Sequence, residues 1–504
     1  MAKSIMANSA LNAAAGLTLL ATGFACSIIA ARLLGPEANG IIAFSLWLVT
    51  TGALVAELGT GVMLLRILPQ LRAQGRSYEE RRSFAAYLVR PTIVASLLVL
   101  AVYFLVYFEA EQLHWAVGTP AVIVITGVLF LFQSIGAYTK NYLIGEQNLS
   151  PYFRLTIASS ILQVVIVLAG ALLYGVSGAL AGYAAGQFLM FLFTLRIASV
   201  RASSCGIGVN YLASSSFILS LEYANTSIFL NRIELFFLQK DFGVEAVGYY
   251  AVGLSLANLA LQLPVQLSGS LIPYYSEKIH SNPNGKLPAS IFEGVVRSIA
   301  YITLPMSFGL AAIAKPLVVA IFGQPFAPAG GTVAILALTA IPYVFTQICT
   351  QYLYSVNRIG ERLMIAGIAS LVLAVGCFAA VPWFGGEGAA AIRFLAFTVM
   401  CTLMVARIDL DGPIYQISVP ILRIAAAAAL CGATAYGAIH FVPGIGGLAV
   451  AVVAAAGAYG IALRLLNAVP AADIAVMEQI VDRLPKMAHP LAFHALALLT
   501  PRRA

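Results

Sequence analysis

Six charged side chains interrupt otherwise apolar runs: Glu57, Arg90, Glu222, Arg232, Glu234 and Arg393. A charge at the centre of a bilayer costs about 2.5–3.5 kcal/mol on insertion scales, so such residues face a partner or a wet cavity. The planar guanidinium fork suits a phosphate. Arg232 and Arg393 are therefore candidate receptors for an anionic group. Arg90 joins them, although its place near a helix end also lets it snorkel to the interface. Glu57, Glu222 and Glu234 are candidates for charge balance, ion coupling or gating. Around them Ser216, Ser220, Tyr223, Ser227, Asn231 and Glu234 follow the helical period along one face, and Asn225 and Arg232 share a second. A helix wetted on two sides lines a cavity or gate; hydrogen bonding between helices gives the same pattern.

The residues offer no other chemistry. The five histidines have no ligand spacing, no Walker A string is present, and the six cysteines are scattered through apolar stretches. Asp409-Leu-Asp411 is a DxD string, but it stands in a short loop with no nucleotide-binding domain attached. Asn225-Thr-Ser227 matches a glycosylation acceptor in mid-membrane, where it has no use. No catalytic residue, metal site or cofactor is expected.

Composition says what positions these charges. The 504 residues are 61% hydrophobic and 10% charged, with a mean hydropathy of +0.92. Soluble domains carry about 25% charged residues. A soluble enzyme, a disordered chain and a disulfide-rich domain are excluded, leaving an all-α polytopic membrane protein. The apolar runs predict fourteen spans: 11–33, 40–64, 86–108, 119–139, 154–174, 177–197, 213–235, 246–272, 295–314, 330–352, 363–383, 387–406, 419–439 and 445–465. With the N-terminus inside, 22 of the 28 basic residues fall in cytoplasmic segments and 3 in outer ones. The positive-inside rule expects this bias, with both termini cytoplasmic. The net charge of +8 thus reflects membrane topology rather than nucleic acid. The start shows no cleavage site, so the first span serves as its own targeting signal.

The chain also repeats itself. Gly35-x-Glu37-Ala38-x-Gly40-x-x-Ala43 returns as Gly243-x-Glu245-Ala246-x-Gly248-x-x-Ala251, an offset of 208. Gly175-x-x-Gly178-Ala179-x-Ala181 returns as Gly385-x-x-Gly388-Ala389-x-Ala391, and Tyr142-Leu143 as Tyr352-Leu353, both at 210. An even number of spans per copy makes the repeats parallel, like the paired lobes of a rocking transporter with a site between them. The expected division is an N-terminal lobe over 1–200, a C-terminal lobe over 201–412, two appended spans over 413–467 and an amphipathic tail over 468–504. In the tail, Ile474, Met477, Val481 and Leu484 share one helical face. Arg393 stands where the first copy has Tyr183, so it breaks the symmetry.

Several of these residues resemble a known family. Arg32-Leu-Leu-Gly-Pro-Glu37-Ala-Asn-Gly40, Glu57-Leu-Gly-Thr-Gly61 with Arg66-Ile-Leu-Pro69, Asn231-Arg-Ile-Glu234 with the Gly243–Ala251 string, and Gly388-Ala-Ala-Ala-Ile392 are similar, in order, to segments of polysaccharide flippases. These belong to the multidrug/oligosaccharidyl-lipid/polysaccharide superfamily. Glu57 stands where that family usually has Asp, and Arg393 where relatives tend to have a small polar residue. The resemblance implies a non-enzymatic flippase of the bacterial inner membrane. It would move a polyprenyl-pyrophosphate-linked oligosaccharide to the outer leaflet for exopolysaccharide, capsule or O-antigen assembly. A polysaccharide polymerase and glycosyltransferases would be its partners, membrane lipid its surroundings. A multidrug or cation antiporter of the same superfamily, a peptidoglycan-precursor flippase and a membrane glycosyltransferase are the alternatives.

Overall fold

In hydrocarbon, an apolar run has no water to satisfy its backbone and must close its hydrogen bonds within a helix. The computed structural model follows this rule. It describes residues 2–113, 119–212, 214, 216, 232–268, 271–412, 418–442, 444–470 and 473–474. The helices are α1 (Ala2–Glu57), α2 (Thr60–Ala73), α3 (Tyr78–Leu113), α4 (Pro120–Gly145), α5 (Leu149–Ala198), α6 (Glu234–Ser268), α7 (Leu271–Ser281), α8 (Ala289–Ala312), α9 (Ala314–Phe322), α10 (Ala329–Ser355), α11 (Ile359–Val405), α12 (Ser418–Phe441) and α13 (Ile445–Leu465). Two short strands, β1 (Leu287–Pro288) and β2 (Leu410–Asp411), pair in parallel.

Nine helices among the described residues are long and apolar enough to cross a membrane. Three of these nine are double. Gly35 (φ 83°) divides α1, Gly175 (φ 62°) divides α5 and Gly385 (φ 53°) divides α11. Glycine takes these positive φ values without the Cβ clash that other residues meet. Divided there, nine helices give twelve spans. The limb of α6 beyond Gly243 (φ 78°) supplies another. The seventh predicted span, 213–235, lies mostly outside the described residues. The protein is a multi-pass, all-α membrane protein, consistent with fourteen spans.

The repeat is written in the backbone as well as in the side chains. Gly35 and Gly243 break their helices at matching positions, as do Gly175 and Gly385. Gln147 (φ 55°) and Asn357 (φ 59°), also 210 apart, are two of the few non-glycine residues with positive φ. The capping bonds match too: Asn148 N–H to Leu143 C=O (2.9 Å) mirrors Arg358 N–H to Leu353 C=O (2.8 Å). This six-to-one bond ends a helix on a left-handed residue. Both copies stop α4 and α10 the same way.

The chain divides into two compact units. The first comprises Met1–Ala251 with Leu373–Ala389, the second Val252–Val372 with Ala390–Ala504. In the first, α4 and α5 pack together and α1 packs on both. Its core includes Met63, Leu64, Leu68, Phe84, Val89, Tyr138 and Tyr142. Gly170 and Gly178 let the two limbs of α5 touch backbone to backbone, since a Cβ on either would overlap the other's carbonyl. In the second unit α12 and α13 pair, and α8 lies between α10 and α12. Ala300, Tyr301, Leu304, Ile424, Ala427 and Ala428 form part of that core.

Polar contacts fasten the loops. In the first unit the Arg81 guanidinium grips the Glu146 carboxylate with two bonds of 2.8 Å. In the second, β1 meets β2 while Lys286 donates to Asp409 (2.8 Å) and Asn282 and Asn284 donate to Asp411 (2.9 and 3.0 Å). The DxD carboxylates are thus taken up in a clasp. The head of the expected tail helix is tied down: Arg297 donates twice to Asp473 (2.9 Å each) and Tyr301 once (3.0 Å). Of the tail's apolar face only Ile474 lies within the described residues.

Candidate functional site

An interrupted span points to a transporter's binding region. The first unit has such a break. The second predicted span, 40–64, is not continuous: α1 ends at Glu57, Leu58 (φ 50°) and Gly59 (φ 67°) turn left-handed, and α2 starts at Thr60. The sequence reading ran through this break because hydropathy stays high across it. A leucine at positive φ is rare, and such backbones persist where the surroundings hold them.

Glu57 sits at this break and is buried, 8% exposed. Its carboxylate accepts from Asn141 Nδ2 on α4 (3.0 Å). Gly61 leaves it room: a Cβ there would overlap Glu57 Oε1. The freed backbone is satisfied locally. Thr60 Oγ1 donates to the Glu57 carbonyl (2.8 Å), and its hydroxyl meets that of Thr92 on α3 at 2.6 Å. A buried carboxylate at a helix break, bonded to an amide, can bind a proton or a small cation.

The other sequence candidates in the first unit are spread out. Arg90 is exposed, and its Nη2 donates to the Val200 carbonyl (3.4 Å) just past α5. Arg232 is half-buried just before α6, within electrostatic reach of Tyr183. Glu234 is fully buried and accepts from Tyr250 Oη (3.3 Å). Glu222, Asn225 and Asn231 lie outside the described residues. The unit also holds an apolar cavity of about 320 Å³ walled by Phe44, Trp47, Tyr103, Tyr107, Phe130 and Phe236. None of the candidate charges lines it.

In the second unit Arg393 is 9% exposed in the second limb of α11, with its guanidinium 5.2 Å from the centre of the Phe397 ring. Phe397 in turn meets Tyr343 of α10 edge-on at 5.0 Å. Cation–π contact of this kind is stronger where water is excluded. A second buried arginine, Arg362, is 8% exposed and lies 5.7 Å from the Tyr354 ring. Tyr343 feels both arginines. Tyr343, Gln347 and Tyr354 recur along one face of α10 at helical spacing, so a wall of aromatic and amide groups runs between the two cations. Sequence reasoning missed Arg362 because Arg358, one turn earlier, looks the same. Arg358 is occupied by Glu361 (2.5 and 2.7 Å), and nothing in the sequence separates the two. Asn141 was missed because a single amide in a long apolar helix carries no pattern. Among the described residues no group of histidine, cysteine and carboxylate side chains gathers to hold a metal.

Comparison with known proteins places the fold. The family model described as "Polysaccharide biosynthesis protein" matches residues 29–330, more than half of the chain. The chain belongs to this family. No curated protein sequence matches it. Among solved structures, the lipid II flippase MurJ in its inward closed conformation is similar with a TM-score of 0.59 and 14% identity, covering 90% of this chain and 98% of that one. An inward-facing multidrug resistance MATE family transporter of the MOP superfamily gives 0.59 and 13%, covering 80% and 94%. A MOP superfamily transporter from Pyrococcus furiosus gives 0.53 and 15%, covering 83% and 96%. At these identities the likeness is one of fold. This polysaccharide biosynthesis family member shares its fold with those transporters.

Proposed function

We propose that the protein is a flippase for lipid-linked oligosaccharide, carrying polyprenyl-pyrophosphate-linked glycan units from the cytoplasmic to the outer leaflet by alternating access. It serves surface polysaccharide assembly in the inner membrane of a bacterium, with both termini in the cytoplasm. Two six-span lobes, 1–200 and 201–412, rock about the site. The observation that carries this reading is Arg393, a cation held at 9% exposure inside a spanning helix of a polysaccharide biosynthesis protein. The wet interior shelters pyrophosphate and sugar while the lipid tail stays in the bilayer. Arg393 and Arg232 receive the pyrophosphate, Arg90 meets it first at the interface, and Asn225 and Asn231 bind the glycan. Glu57, Glu222 and Glu234 balance charge, gate or couple. Moving an anionic headgroup outward from a negative interior is favoured by about 2.3 kcal/mol per charge per 100 mV. The polymerase and glycosyltransferases of the same glycan are its working partners.

The test replaces Arg232 and Arg393 singly with Ala and measures surface polysaccharide at equal protein abundance. Loss of surface glycan, with lipid-linked intermediate accumulating inside, is the expected result. Full activity in both variants removes the phosphate-receiving role. Drug sensitivity of a deletion strain with normal surface glycan assigns the protein instead to multidrug or cation antiport, a reading that the buried Glu57–Asn141 pair favours. A lethal deletion with arrested wall synthesis points to a peptidoglycan-precursor cargo.

A further inference from the structure

The two turns that carry the strongest repeat also touch one another. A Cβ on Gly40 would overlap the Val244 carbonyl, and a Cβ on Gly248 would overlap the Pro36 carbonyl. Shift each number by 208 and the first contact becomes the second: 36 maps to 244 and 40 to 248. The contact is therefore self-complementary, as across a two-fold axis, where residue i meets j and j meets i. Both helices restart from a glycine at positive φ, Gly35 and Gly243, which brings their first turns together without a side chain between them. Glycine is what permits so close an approach of helix backbones in a membrane.

One polar bond lies across the contact. Asn39 Nδ2 donates to the Gly248 carbonyl (3.2 Å), and Asn39 is 4% exposed. Its repeat mate is Val247, fully buried. Nearby, the Phe242 ring lies 3.7 Å from where a Cβ of Gly385 would be, and Lys240 lies 5.8 Å from the Phe378 ring centre. These contacts add the turn between the two limbs of α11 to the same face. The bond that spans the contact joins two uncharged groups. Parting it strands no charge, whereas separating a buried ion pair would.

We infer that these two turns form a glycine seal on the repeat axis, a gate that closes one mouth of the transport path by direct backbone contact and opens by parting. The inference rests on the transport reading for what the gate closes, and on the proposed topology for placing it at the outer face. It goes beyond that reading in naming Gly40 and Gly248 as the residues whose lack of a side chain permits closure.

Spin labels at Glu37→Cys and Glu245→Cys, an exposed repeat-related pair on the two turns, report the separation in purified full-length protein whose six native cysteines are replaced. The parent should give one short, narrow distance distribution. Gly40→Ala and Gly248→Ala should each shift most of the population to longer, broader separations. Gly23→Ala, whose Cβ would meet nothing within 4 Å, should leave it unchanged. An unchanged distribution in both seal variants overturns the inference. Should those variants fail to accumulate, the parent label pair is bridged instead by a short bis-thiol crosslinker that reduction releases. The expected result is a reversible loss of transport, and full transport in the bridged protein overturns the gate. The distance measurement needs no cargo, so a wrong cargo assignment and a wrong gate give different results.

Discussion

The Arg297–Asp473 pair sets a quantitative test of how the chain end is held. The two side chains are 11% and 10% exposed, bonded twice at 2.9 Å, with Glu293 a further 3.8 Å from the guanidinium. Breaking a buried pair by removing one partner costs about 3–5 kcal/mol, because the survivor is left uncompensated. The survivors differ here. Asp473→Ala leaves Arg297 with the Glu293 carboxylate, so its cost falls near the lower limit, about 3 kcal/mol. Arg297→Ala leaves two carboxylates with no cation between them and falls near the upper limit, about 5 kcal/mol. Asp473→Asn keeps an acceptor for Arg297 and Tyr301 and loses only charge assistance, about 1–2 kcal/mol. Replacing both by apolar residues, Arg297→Met with Asp473→Leu, should be milder than either alanine change, since a well-packed apolar pair forgoes the desolvation cost. Reversible unfolding in lipid nanodiscs measures all four. Equal losses in Arg297→Ala and Asp473→Asn, or a double replacement as damaging as the singles, refutes the reasoning.

Three further outcomes follow from the geometry. Arg393→Tyr places in the second repeat the residue that the first has at Tyr183 and keeps an aromatic side chain beside Phe397. Abundance should hold while transport falls about 10- to 150-fold, the equivalent of one hydrogen bond of about 1.5–3 kcal/mol to a charged group; flux in reconstituted vesicles checks it. Gly178→Ala drives a methyl into the Gly170 carbonyl between the two limbs of α5. That overpacking should cost about 1–3 kcal/mol or more, read as lost folded protein against an unaffected Gly23→Ala. The β1–β2 clasp should stay closed between about pH 4 and about pH 10. The Asn282 and Asn284 amides hold the Asp411 carboxyl below its ordinary range, so its contribution is present above that range and lost as pH falls through the lowered value. The hydrogen bond to Asp409 raises Lys286, so that contribution is present below the ordinary lysine value and lost as pH rises past the raised one. Spin labels at Ser281 and Arg407 should part outside that window and not within it.

Most of the architecture was legible because membrane folding leaves few choices. Long apolar runs must be helices, and Gly35, Gly175, Gly243 and Gly385 marked the returns by type and spacing. The internal break at Leu58 and Gly59 was not legible. Nothing in hydropathy separates Leu58, which turns left-handed, from Leu64 or Leu65, which stay helical. The break is held by contacts far apart in sequence, Thr60 with Thr92 and Glu57 with Asn141. For the site, the charges were readable as a group because the bilayer makes each of them conspicuous. Their neighbours were not. Arg393 beside Phe397 is an i,i+4 contact that spacing alone allows, but its line to Tyr343 crosses between helices. Arg362 sat unnoticed among loop arginines until burial set it apart.

The duplication also bears on why the chemistry sits where it does. Positions that set the backbone course are shared by the two copies: the kink glycines, the left-handed pair Gln147 and Asn357, and the cap bonds beside them. Several positions that carry charge or polarity differ. Tyr183 answers Arg393, Glu146 answers Val356, and Asn39 answers Val247. A shared backbone with unlike side chains is what a rocking pair of bundles needs, because the two copies must move as counterparts while the path between leaflets has a direction. A strictly symmetric chain would bind an anionic group equally at two related sites and gain nothing by passing it from one to the other. Arg393 belongs to one copy and the Glu57–Asn141 pair to the other, and under the proposed function this separates the resting place of an anion from that of a proton or cation. A ligand shifts a two-state equilibrium only through its difference in affinity for the two states. Charges placed unequally on two moving halves are the means by which such a difference arises.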